Sequence, residues 1–116
     1  MTTPKKINWL LLAALVGACG SAPLSTTAVS RAKSAVSAAE AVGAQSHPPA
    51  ALHMKMARDS IKDAEALAKA GDTEQAVRLL DEAEADAQLA LALTREDHMR
   101  QEASEAVAQE RALEQQ

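Results

Sequence analysis

The segment Ala64-Glu65-Ala66-Leu67-Ala68-Lys69-Ala70-Gly71-Asp72-Thr73-Glu74-Gln75-Ala76-Val77-Arg78-Leu79-Leu80 reads as one helix ending and another beginning. Gly71 suits the left-handed position that follows a helix end, where a Cβ is costly. Asp72 suits the N-cap of the next helix, and Gln75 three residues on completes a capping box. Glu74 in the first turn favours the positive end of the helix dipole. A connection this short makes the two helices antiparallel neighbours.

Upstream of the turn, Ala50, Met54, Ala57, Ile61, Ala64 and Ala68 recur at the three-four spacing of one helix face. They predict a helix over 49–70, which Pro48-Pro49 can open because proline fits the first turn. Met54 and Met56 are expected to fill gaps in the core. Glu65 and Lys69 make a favourable i,i+4 pair. Downstream, Ala76, Leu80, Ala83, Ala87, Ala90 and Leu91 predict a third helix over 73–94, with Leu79, Leu89 and Leu93 broadening its apolar surface. Neither Gly nor Pro occurs from Thr73 to Gln116. The helix can therefore run on through a charged extension, 95–116, to a length of roughly 60 Å. The second helix spans only about 30 Å, so the extension outruns it. Met99, Ala103, Ala106 and Leu113 form a sparse apolar stripe along it, a candidate surface for a helical protein partner or for self-association.

Further upstream, Val29, Ala32, Val36, Ala39 and Gly43 mark a first helix over 27–43, opened by Thr26 or Thr27 and closed by Gly43. The fold class is all-α: a three-helix antiparallel bundle, or helical hairpin, with a long, partly coiled-coil-like C-terminal helix. Residues 27–94 form the Ala-rich domain. Residues 19–26, with Pro23 among serines and threonines, form a flexible tether of at most about 25 Å.

Residues 1–18 read as a leader. Lys5 and Lys6 precede an apolar run from Trp9 to Val16, which small residues close. The run is too short to span a bilayer, which takes roughly 20 apolar residues. Val16-Gly17-Ala18-Cys19 resembles the lipobox of bacterial lipoproteins: an aliphatic residue, two small ones, then cysteine. The resemblance implies cleavage between Ala18 and Cys19. It also implies a diacylglycerol on the Cys19 thiol and, on the new amino terminus, a further acyl chain such as palmitate. The chain's single cysteine cannot form an internal disulfide, and lipidation gives it a use. Two or more acyl chains anchor stably where one does not. Gly20 follows Cys19, where an aspartate would favour inner-membrane retention. By resemblance, the expected location is the periplasmic side of the outer membrane.

Composition narrows the function. Removing Lys5 and Lys6 from the 12 basic residues leaves 10 against 16 acidic ones, a mature charge of −6. This argues against nucleic acid as a partner. The one aromatic residue, Trp9, lies in the leader, so the mature chain has no ring to floor a ligand pocket or stack on a base. Alanine dominates, which favours helix and gives a thin core. His47, His53 and His98 show no metal-ligand spacing and read as solvated helix-end groups, so no metal and no cofactor is expected. Asp81, Glu82, Glu84 and Asp86 read as a solvated face rather than an acid–base pair. No phosphate loop and no nucleophile elbow occurs in the sequence, and no enzymatic role is expected.

Pro49–Leu52, Ala57, Ile61, Ala64, Leu67, the Ala70-Gly71-Asp72 turn, Ala76, Leu79, Leu80, Ala83, Glu84, Asp86-Ala87 and Leu89-Ala90 together resemble the bacterial domain-of-unknown-function family 4398. Its members are small Ala-rich envelope lipoproteins. The resemblance implies a helical envelope protein and supplies no catalytic residue. The hairpin also looks like one tetratricopeptide-type unit. A single copy lacks the roughly three repeats that such stacks need. Two roles follow as expectations. The first is a structural or protein-interaction lipoprotein. The second is a small helical carrier or sensor module that binds an apolar ligand or regulates an envelope partner.

Overall fold

A computed structural model describes residues 23–116. The leader, the Ala18–Cys19 cleavage site, the lipidation site Cys19 and residues 19–22 of the tether lie outside the described residues. Three helices make up the fold: α1 (Thr26–Ala41), α2 (Pro48–Lys69) and α3 (Thr73–Glu114). A short 3-10 turn, Ala44–Ser46, joins the first two. No strand occurs among the described residues.

The turn at Gly71 closes as the sequence predicts, with one refinement. Gly71 has φ +92°. Its N–H bonds to Ala68 O at 3.1 Å and the Asp72 N–H bonds to Leu67 O at 3.0 Å. These two bonds form a Schellman motif, which satisfies carbonyls orphaned at the end of α2. The Asp72 carboxylate accepts the Gln75 N–H at 3.1 Å. The Asp72 N–H is already committed to Leu67, so the cap works from one side. Gly43, with φ +83°, ends α1 through its N–H to Glu40 O.

Helix ends shift slightly from the sequence reading. Ser25 is the N-cap of α1, not Thr26 or Thr27, and makes no side-chain cap bond. His47 is the N-cap of α2, and both prolines sit inside its first turn. The segment expected as a plain loop contains the 3-10 turn, and its Ala44 is fully buried.

Burial follows the three-four spacing on each helix. The core comprises Ala28, Ala32, Val36 and Ala39 of α1, Ala50, Met54, Ala57, Ile61 and Ala64 of α2, and Ala76, Leu80, Ala83, Ala87 and Ala90 of α3. Val29 lies on the flank of α1, where the sequence placed it in the stripe. Met54 is fully buried, as expected of a gap-filler, but Met56 is exposed and fills none. Alanine at most core positions lets the helix backbones approach closely, since interaxial distance follows side-chain size.

Cross-helix pairs give the directions. His53 of α2 meets Asp86, and His47 lies nearer Asp97, so α2 runs antiparallel to α3. Lys33 reaches Glu65 and Arg58 reaches Glu40, so α1 is antiparallel to α2 and parallel to α3. The start of α1 and the Gly71 turn therefore share one end of the bundle. At the other end α3 passes Thr94, the last buried residue of its core face. The Thr94 hydroxyl donates to Ala90 O at 2.9 Å, which satisfies a buried polar group within its own helix. From His98 onward every residue is exposed. Residues 95–114 continue α3 as a single helix for about 30 Å.

Candidate functional site

Charged groups knit the bundle from outside. Arg31 donates to Asp81 at 2.9 Å and lies 3.6 Å from Glu84, tying α1 to α3. Lys33 donates to Glu65 at 2.9 Å and Arg58 to Glu40 at 2.6 Å, tying α1 to α2. Glu65 thus hydrogen-bonds across helices, and the charge of Lys69 acts on it in the same favourable sense. The hydrogen bond from Lys33, then its charge, holds the Glu65 carboxyl below its ordinary range. The Lys55–Asp59 pair within α2 does likewise: the hydrogen bond and then the charge lower Asp59 and raise Lys55. Apart from the half-buried Glu84, these groups are largely solvent-exposed, where an ion pair contributes little.

Two histidines depart from the sequence reading. His53 is half-buried, and its Nδ1 lies 2.9 Å from the Asp86 carboxylate. A carboxylate only accepts, so Nδ1 carries the proton and donates. His47 is half-buried too. Its Nε2 is 4.0 Å from Asp97 and its Nδ1 is buried without a hydrogen-bond partner among the described residues. These are seam residues between α2 and α3, not solvated helix ends. The sequence held part of the signal, since His53 lies beside the core residue Met54, but not the helix it would face. His98 is exposed. Among the described residues no three His, Cys, Asp or Glu side chains gather as metal ligands would.

The grooves between helices are open. One, about 690 Å³, runs between α1 and α3 and is lined by Thr27, Ser30, Ser34, Ala38, Glu84 and Leu91 among others. Small hydroxyl and alanine side chains widen it without giving it a roof.

The four residues of the C-terminal stripe lie on the exposed part of α3. Met99 is 62% exposed and Leu113 72% exposed, with Ala103 and Ala106 exposed between them. The stripe is not a continuation of the core. At 3.6 residues per turn it lies roughly 130° round α3 from the line through Leu80, Ala87 and Thr94. It is also longer than the four residues named from sequence. Leu89, Ala92, Glu96, Met99, Ala103, Ala106, Glu110 and Leu113 follow one another at spacings of three and four, the heptad spacing of a coiled-coil seam. Leu89, 43% exposed, begins it, and Val107, 45% exposed, flanks it. Both were missed because Leu89 counts equally well towards the bundle's own apolar surface. Arg100 donates to Glu96 at 2.6 Å and Gln101 to Asp97 at 2.8 Å, supporting the helix where it has no neighbour.

The fold and this surface define an all-α bundle whose last helix projects far beyond its partners and carries an open heptad seam. The chain belongs to the family described as Domain of unknown function (DUF4398), whose model matches residues 27–106. The match takes in α1, the hairpin and the first part of the projecting helix. No curated protein and no solved structure matches the chain. No helix among the described residues is long and apolar enough to cross a membrane.

Proposed function

We propose that this protein is a non-catalytic, lipid-anchored envelope protein that presents the α3 seam to another helix. The observation that carries the reading is the projecting helix, exposed from His98 onward yet keeping apolar residues in heptad register. A helix with no packing of its own has no stability reason to keep Met99 and Leu113 on one line. The leader and the Val16-Gly17-Ala18-Cys19 motif supply the anchor: cleavage before Cys19, a diacylglycerol thioether and an acylated amino terminus. By the same resemblance the chain sits on the periplasmic face of the outer membrane. The start of α1 and the Gly71 turn share the tethered end, and the projecting part of α3 lies at the other.

Two measurements test this. Intact-mass analysis of the membrane-extracted protein is expected to give a terminus at Cys19 carrying acyl mass; a free thiol or another terminus overturns the anchor. A photo-crosslinker at Met99 or Leu113, in intact envelopes, is expected to capture a helical protein. The same group at Ala108, on the opposite side of α3, is expected to capture none. Equal capture at all three sites, or at none, overturns the docking role. The open α1–α3 groove supports one second reading, a carrier of a small ligand. Native mass spectrometry showing a retained ligand would favour it.

A further inference from the structure

Among the described residues six large apolar side chains stay exposed: Leu52 and Met56 on α2, and Leu89, Met99, Val107 and Leu113 on α3. The antiparallel register given by His53–Asp86 and His47–Asp97 brings Leu52 close to the level of Leu89. Exposed apolar side chains thus run from the level of Leu52 on α2 to the tip of α3.

We infer that the occupant of this surface is a second copy of the chain, with the two α3 helices antiparallel about an axis at Gln101. This rests on the docking reading above and names its partner. Leu89 and Leu113 lie equally far on either side of Gln101. In the antiparallel pair Leu89 faces Leu113 of the second copy, Ala92 faces Glu110, Glu96 faces Ala106 and Met99 faces Ala103. Each glutamate meets an alanine, which leaves its carboxylate a path to water. Each tail tip covers the other chain's Leu52 and Leu89. In a parallel in-register pair Glu96 meets Glu96 and Glu110 meets Glu110, and like charges at seam positions oppose that pairing. The antiparallel contact is isologous and closed, so it stops at two chains.

Size agrees with a specific but weak contact. The exposed apolar residues put on the order of 1,000 Å² into the pair, the lower limit for a specific interface. Arg100 and Glu102 each meet their own copies across the axis. Arg100 is already offset by Glu96 of its own chain at 2.6 Å. The association is therefore reversible.

Disulfide trapping tests it in the full chain carrying Cys19→Ser, which removes the one native thiol. Arg100→Cys is expected to link to itself. Leu113→Cys alone is expected not to, but to link to Leu89→Cys when the two are mixed. All three sites are exposed, so helix content by circular dichroism is expected to hold. Sedimentation is expected to give a dimer whose mass halves in Ala103→Glu. Efficient self-linking of Leu113→Cys overturns the antiparallel arrangement. A monomer with no trapped pair overturns self-association. If the Met99 photo-crosslinker then still captures another helical protein and the Ala108 one does not, docking stands with a different partner. If neither captures anything, docking fails as well.

Discussion

At single positions the thin core makes a few side chains matter disproportionately. Met54 and Leu80 are the largest apolar side chains fully enclosed, amid alanines that cannot expand to fill a void. Met54→Ala is expected to cost about 2–5 kcal/mol of unfolding free energy, measured by urea denaturation. Leu52→Ala, at an exposed site, is expected to stay within about 0.5 kcal/mol. Gly71 has open space around its Cα, so its φ of +92° alone decides its replacement. Gly71→Ala is expected to cost about 1 kcal/mol or more, because alanine is strained in that conformation. The Glu65–Lys33 pair sets a pH sign. The folded-state pKa of Glu65 lies below its ordinary value. Its contribution is therefore complete above the unfolded pKa, about 4, and is lost as pH falls through the folded one. Thermal melts taken down through that range are expected to fall more steeply for the native chain than for Lys33→Met. The difference is small, since the pair is exposed.

Among the elements, the helices differ in what holds them. The α2–α3 hairpin carries Met54, Ile61 and Leu80, whereas α1 docks through Ala28, Ala32, Val36 and Ala39 with ion pairs at its edges. Amide exchange is expected to be fastest beyond His98, slower in α1 and slowest in the α2–α3 core, in the order of packed apolar surface. Deleting residues 98–116 is expected to leave the bundle's unfolding midpoint nearly unchanged at dilutions where the chain is monomeric, because within one chain nothing there packs on it. The hairpin was legible because Gly71 and Asp72 declare their roles chemically and the apolar spacing on both sides is strict. The lack of Gly and Pro allowed α3 to continue past residue 95 without requiring it. The N-cap of α1 was not, because Ser25, Thr26 and Thr27 are equivalent candidates and no side-chain cap bond selects one. The His53–Asp86 contact was not either, since it depends on the axial register between two helices. The seam was half legible: its distal part stands alone, while its start at Leu89 merges with the bundle's apolar surface.

For the whole molecule the decisive fact is that α3 serves two surfaces on different sides of one rod. One side holds the bundle together, and the other stays open from Leu89 to Leu113. Both sides belong to an unbroken helix, and the buried side ends at Thr94. A threonine bonded back to the carbonyl four residues earlier is a recognised bending point in helices. Beyond it the rod acts as a lever arm: tilting by about 10° there sweeps Leu113 sideways by about 5 Å. A bend at this hydroxyl would change where the distant tip points. Replacing Thr94 with valine, nearly the same shape without the bond, would re-aim it while leaving every tip residue untouched.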